Sequence, residues 1–292
     1  MTSKGYVALS VAAGFVLATA GTWATEAQAE TTLITLGTRG GPLPSKDRAQ
    51  TSNLLVVNGT LYLIDAGDGV TRRIVQAGYD FRKVGKIFIT HPHSDHDNGL
   101  ATLLNSEWEY QRAEPIDIYG SGVEALVKGA IAYLTPNAEI RWAEGKQRPM
   151  AGIFHGHDVA PGLVYQDANV KVTAVENTHF HFQPGTPPYG KYKSYSYRFE
   201  TPGRVVFFTG DTGPSDEVRR LAHRATVLIH EATVTQDIEA QANEWGHSSA
   251  RQAAELAHAA EAEALFMTHF SSRYKELEPL ENEARIQIGR AS

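Results

Sequence analysis

Strands that come first, followed by strands mixed with helices, predict an α+β protein whose sheets are covered by helices, not a plain doubly wound sheet. Three observations carry this. Thr31–Leu36, Leu54–Val57, Leu61–Ile64 and Val84–Thr90 are apolar, β-branched-rich runs bounded by turn residues. Asn58-Gly59 and Thr201-Pro202-Gly203 are hairpin signals between neighbouring runs. Helical stretches then fill the intervals: near Val70, from Asn98, over Ser121–Leu134, over Pro214–Leu221 and over the Ala-rich Ser248–Ala260.

In chain order, Gly37–Asp47 is a Gly/Pro-rich loop after the first strand, and Asp65-Ala66-Gly67-Asp68-Gly69 ends the first hairpin with flexible backbone. Val84–Thr90 delivers a His-rich loop, and Ile116–Tyr119 is a short strand. Residues 136–165, with Pro, Gly and two histidines, give no legible element. Val170–Glu176, Ser194–Glu200, Arg204–Thr209, Val227–His230 and Ala264–Thr268 are strands. Pro214 falls early in the first turn of its helix, and Ser248 is a good N-cap for the Ala-rich one.

The first 29 residues stand apart. Lys4, the apolar stretch 5–20 and the small-x-small site Ala27-Gln28-Ala29 have the layout of a secretory signal cut after Ala29. The apolar run is short for a membrane span of about 20 residues, although retention as an N-terminal anchor is the alternative. Residues 30–292 then form the working domain, periplasmic or secreted, with no stable membrane span. A net charge of −6 is a poor match for long nucleic-acid tracts. There is no cysteine, so disulfides and thiolate zinc sites are excluded, and any metal must be held by His and carboxylate.

Such a set exists. His91, His93, Asp95 and His96 stand within six residues at the end of a strand. Alternation puts His91 and His93 on one side of extended chain, and a following turn can bring Asp95 and His96 to a second point nearby. His179, Asp211 and His269 each follow another strand, so all seven can meet along one sheet edge. Seven ligands suffice for two divalent metals sharing one carboxylate, each with a position open to water. Zinc suits imidazole and carboxylate best, and iron or manganese also accept them.

The pattern His-x-His-x-Asp-His, a later His, Gly210-Asp211-Thr212 and a final Thr268-His269 resembles the metallo-β-lactamase superfamily over nearly the whole of 30–292. Leu36-Gly37-Thr38 and the Asp65–Gly69 segment belong to the likeness. His230-Glu231-Ala232-Thr233, Gly246-His247-Ser248-Ser249 and Thr268–Tyr274 are similar to the ribonuclease Z and arylsulfatase-like branch. The resemblance implies an αββα sandwich, two mixed sheets flanked by helices, with the site at one sheet edge. It implies that His91, His93 and His179 hold one metal, that Asp95, His96 and His269 hold the other, and that Asp211 bridges. It also implies that Glu231 and His247 form a proton-delivering pair, that Asp95 can orient the nucleophile, and that Asp65 steadies the ligand loop. A homodimer is in keeping with it.

Other residues stay open. His181 rivals His179; His155 and His157 are a second metal patch or a solvated loop; His230 reads as structural, and His223 and His258 as helix-surface residues. Tyr192, Tyr195 and Tyr197 line a pocket or share one sheet face. Two cations lower the pKa of a bridging water and stabilise charge in the transition state, which predicts phosphodiester or related ester hydrolysis. No long basic arm stands between Leu134 and His179, only Arg141, Lys146 and Arg148. The expected substrate is therefore a small-molecule ester, with no tRNA. Sulfatase or lactonase action, a non-catalytic binding protein and, less so, a β-lactamase are the alternatives.

Overall fold

A computed structural model describes residues 6–7, 30–110, 112, 114–145, 150 and 152–291. The strands are β1 (Tyr6–Val7), β2 (Thr31–Gly37), β3 (Ser52–Val57), β4 (Thr60–Ile64), β5 (Val84–Phe88), β6 (Ile116–Gly120), β7 (Phe154–Asp158), β8 (Gly162–Gln166), β9 (Lys171–Glu176), β10 (Tyr195–Thr201), β11 (Arg204–Phe208), β12 (Val227–Glu231) and β13 (Ala264–Thr268). They form two mixed sheets, ordered β2-β3-β4-β5-β6-β7 and β1-β13-β12-β11-β10-β9-β8. Helices α1 (Val70–Gln76), α2 (Ser94–Asp97), α3 (Leu100–Glu109) and α4 (Val123–Ala143) follow strands of the first sheet. Helices α5 (Asp216–Leu221), α6 (Glu239–Glu244), α7 (Ala250–Ala259) and α8 (Glu278–Ala291) follow strands of the second. None of these helices is long and apolar enough to cross a membrane.

Apolar runs on both faces of a strand explain the four layers. In β3, Leu54 and Val56 pack outward with Val70, Ile74, Leu103 and Trp108. Leu55 and Val57 point the other way, into a core with Tyr62, Phe88, Tyr197 and Phe199 between the sheets. A third core sets Phe207, Leu228 and Leu265 against the alanines of α7. Truncating such a fully buried leucine costs about 2–5 kcal/mol, so the sandwich is held from both sides of each sheet. The Asn58-Gly59 turn takes φ of 49° and 78°, as a two-residue hairpin needs.

Several sequence boundaries move. Helix α4 runs through Pro136 to Ala143 rather than ending near Leu134. Beyond the proline it is held to α3, where Asn137 donates to Asn105 Oδ1 and Glu109 Oε1 at 3.0 and 2.9 Å. Strands β7 and β8 occupy the stretch that gave no legible element and lie at sheet edges; β7 is Phe-His-Gly-His-Asp, with a single apolar residue, and β8 is the short run Gly-Leu-Val-Tyr-Gln with exposed ends. Pro214 precedes the cap of α5, which is Ser215. Ser249, not Ser248, caps α7 in a reciprocal box with Gln252, while Ser248 Oγ donates to Thr212 O at 2.7 Å. The signal assignment for 1–29 and its cut lie outside the described residues, except that Tyr6–Val7 pairs in parallel with β13. Lys146 and Arg148 also lie outside them.

Candidate metal centre

The predicted ligands sit where strands stop. His91 lies three residues beyond β5, His179 three beyond β9 and Asp211 three beyond β11, and His269 directly follows β13. Asp95 and His96 come from the single turn of α2, entered through His93. Backbone pairing no longer dictates geometry at these ends, so side chains from both sheets turn into one point. His269 takes a left-handed φ of 57°, a cost a non-glycine residue bears only where its surroundings impose it.

Four overlapping groups of candidate ligands result among the described residues, and two of them are the predicted sets. His91, His93 and His179 form one, with His91 Nε2 and His179 Nε2 at 3.0 and 3.1 Å from His93 Nδ1. Asp95, His96, Asp211 and His269 form the other. Asp211 Oδ2 is common to both: it lies 3.7 Å from His91 Nε2, 3.3 Å from His96 Nε2 and 3.0 Å from His269 Nε2.

The distal nitrogens explain why the others face inward. His96 Nδ1 donates to Asp65 at 2.8 Å, His91 Nδ1 to Thr90 Oγ1 at 3.1 Å, His179 Nδ1 to Gly246 O at 3.0 Å and His269 Nδ1 to Thr233 Oγ1 at 2.9 Å. Each such bond fixes a tautomer whose remaining lone pair points to the centre, the arrangement metal-binding histidines use. His96 Nε2 is buried and, though near Asp211, has no hydrogen-bond partner. A buried nitrogen with a lone pair and no donor, in a set of imidazoles and carboxylates, fits a divalent cation.

The electrostatics agree. Burial and the neighbouring His96 and His179 hold His91 well below the usual imidazole range, and burial takes His179 down to about 4. Burial works against charge on His269 as well, but Asp211 and Asp95 outweigh it and raise it to about 10. Burial would raise Asp211, yet the charges of His269 and His96 hold it well below the carboxylate range. Protons on His269 and His96 thus balance the aspartates here, a role divalent ions would take over on displacing those protons.

Glu231, at the end of β12 and fully buried, lies beside the cluster. His247 Nδ1 is 3.0 Å from Glu231 Oε1 and 3.9 Å from Asp211 Oδ2. Burial opposes a proton on His247, but Glu231 raises its affinity for one above the usual imidazole value. Glu231 also accepts from Thr212 N at 2.7 Å and from Thr233 Oγ1, so Thr233 links it to His269. Asp65 both holds the ligand-loop backbone, accepting from Thr90 N at 2.8 Å, and orients His96.

His181 is exposed and donates to Thr178 O, outside the cluster. His155 and His157 lie on edge strand β7 against Asp117, at 3.4 and 2.8 Å. His230 is buried and bonded to Glu231 O, and His223 and His258 are exposed. Tyr195 and Tyr197 are core residues whose hydroxyls donate to Val159 O and Ile89 O; Tyr192 alone lines a cavity. Sequence reasoning missed Thr90, Thr233 and Gly246, which orient ligands, and Gly41, whose N–H donates to Asp95 Oδ2 at 2.6 Å. It also missed Phe180, whose ring lies 5.5 Å from His91 and 5.2 Å from His93. None of these carries a ligand atom, so none stands out by residue type, though Phe180 adjoins His179 and Thr90 adjoins His91.

The model of the β-lactamase superfamily domain matches residues 60–270, the span that holds all seven candidate ligands together with Glu231 and His247. The chain belongs to the metallo-β-lactamase superfamily. It is a hydrolase of that fold, and the fold implies divalent metal binding, which the cluster fits. The chain is 33% identical to Ribonuclease Z of Methanothermobacter thermautotrophicus, over 86% of this chain and 90% of the relative. It is 33% identical to Ribonuclease BN of Proteus mirabilis, over 83% and 90%. The crystal structure of the human tRNase Z, short form, superposes with a TM-score of 0.66 at 26% identity, covering 84% of this chain and 94% of that one. These relatives overturn the expectation of a small-molecule ester substrate and no tRNA. That expectation weighed net charge and a missing basic arm, but net charge says nothing of the local field where a substrate docks.

Proposed function

We propose that this chain is an RNA phosphodiesterase, with transfer RNA among its substrates, working through two zinc ions. The observation that carries the reading is the pairing of a seven-ligand cluster with the Glu231–His247 contact of 3.0 Å. His91, His93 and His179 would hold one ion, Asp95, His96 and His269 the other, and Asp211 both. When bound, such a pair supplies a nucleophile from water and offsets charge on the phosphate. The chain's own residues do the rest. Asp95, fixed by Gly41 N–H, orients the attacking group. His247 delivers a proton to the departing alkoxide, and Glu231 holds its ring and keeps it protonated. Relatives that bear ribonuclease names support phosphorus as the centre attacked.

The test is cleavage of a precursor tRNA transcript, beside hydrolysis of bis-p-nitrophenyl phosphate, by the zinc-loaded protein and by Asp211→Ala. Cleavage abolished by that substitution is expected; an RNA left intact by the wild type, with the small diester turned over, would remove RNA from the proposal. Export is a separate proposal and rests on residues 1–29 alone. N-terminal sequencing of the protein from fractionated cells tests it: a start at Glu30 outside the cytoplasm supports it, and an intact Tyr6–Val7 strand on cytoplasmic protein overturns it.

A further inference from the structure

A cavity of about 650 Å³ opens beside the metal cluster at His93. Phe180, Phe182 and Tyr192, from the loop between β9 and β10, form one wall; Ala125, Gly129 and Tyr133 of α4 form part of the other. Phe180 and Phe182 are stacked, with ring centres 4.5 Å apart and planes 30° from parallel. Tyr192 packs over Gly122, where a Cβ would come within 2.7 Å of its ring. The cavity's size is that of a ligand site, about 300–1,000 Å³.

Its chemistry selects the occupant. No Lys or Arg lines it, and apart from the tyrosines its ionisable side chains are His93 and Asp97. A phosphate chain gains nothing there and meets a carboxylate. A flat, uncharged ring gains two aromatic faces and the small-residue surface of α4. Unpaired bases of single-stranded RNA are recognised on such faces. His93 belongs both to the cluster and to the cavity lining, so a phosphodiester held at the cluster would bring a neighbouring base within reach of the cavity.

We propose that the cavity receives, unpaired and stacked on its aromatic wall, the base of a nucleotide adjoining the scissile phosphate. This rests on the RNA phosphodiesterase reading.

The experiment compares a short RNA cut by the zinc-loaded protein with the same RNA carrying an abasic residue on either side of the scissile bond in turn. Wild type is expected to lose on the order of 10-fold in kcat/KM with one of the two, within the roughly 5- to 150-fold range that one stacked base represents. Gly129→Trp fills the cavity from α4, where a Cβ at Gly129 meets nothing within 4 Å, and replacing a helical glycine does not weaken the helix. That variant is expected to lose the same factor on the intact RNA and to stop distinguishing intact from abasic. Phe182→Ala is expected to narrow the difference. Binding of the intact and abasic RNAs to metal-free protein, followed by fluorescence anisotropy, is expected to show the same preference. Equal cleavage of all RNAs by wild type, or full discrimination retained by a folded Gly129→Trp, overturns the proposal. If wild type hydrolyses bis-p-nitrophenyl phosphate but no RNA, the functional reading fails first and takes this inference with it.

Discussion

Asp65→Asn keeps the shape of a buried side chain while removing one acceptor. Asp65 is 1% exposed and accepts from Thr90 N, Thr90 Oγ1 and His96 Nδ1, at 2.8, 3.0 and 2.8 Å. An amide offers one oxygen where the carboxylate offers two, and its NH₂ faces a donor. At least one buried donor then loses its partner, at about 1–3 kcal/mol of folding stability. If Thr90 keeps the oxygen, His96 loses the bond that aims Nε2 at the centre, and metal affinity falls about 10–100-fold, or roughly 1.4–2.7 kcal/mol. Urea unfolding of the metal-free protein reads the first loss, and competition against a chromophoric zinc chelator reads the second. Lower stability with affinity within twofold of wild type would refute the orienting role of Asp65. No change in either would refute the hydrogen-bond network itself.

Three further outcomes follow from named contacts. His247→Ala should lower RNA cleavage by about 10²–10⁴-fold, the range for a general acid, and lower p-nitrophenyl ester hydrolysis far less, because that leaving group needs no proton; equal losses on both would rule out proton delivery. Asp211→Ala should reduce bound zinc below two ions per chain by mass spectrometry of the native protein, since its carboxylate oxygen stands within 3.7 Å of His91, His96 and His269; two ions retained would contradict bridging. Glu107, buried on α3 with Arg112 at 3.2 Å, is raised by burial from 4.5 to about 8. The folded state therefore holds a proton that the unfolded state has released, and stability should fall from pH 4.5 to 8 by up to about 1.4 kcal/mol per pH unit. Glu107→Gln should flatten that slope in urea melts across this range, and an unchanged slope would contradict the assignment.

Most of the site was legible because metal ligation restricts residue type. His91–His96, His179, Asp211 and His269 each stand at a strand end that the apolar patterning had located. The Glu231–His247 pair was legible only through family likeness, since nothing in a lone Gly-His-Ser says what faces it. The supporting groups were not legible: Thr90, Thr233 and the N–H of Gly41 are ordinary polar atoms whose partners come from distant segments. The strand β7 escaped for the opposite reason to β3. Leu54–Val57 is buried on both faces and announces itself, whereas His155–Asp158 lies on an edge where polar residues are tolerated. Helix α4 continues past Pro136, where Asn137 is bonded to Asn105 and Glu109 of α3, contacts between distant segments that local sequence does not show. The substrate class went astray because charge was summed over a chain whose site is local.

On the proposed function this cluster directs water, rather than an RNA hydroxyl, at a phosphodiester. Cleavage of a precursor tRNA in ¹⁸O-labelled water, with mass spectrometry of the products, tests it most directly. One labelled oxygen on the phosphate of a product end is expected, with a free hydroxyl on the other end and cutting retained when the adjoining 2′-hydroxyl is replaced by hydrogen. A cyclic phosphate without label, or cleavage lost with that hydroxyl, would contradict it.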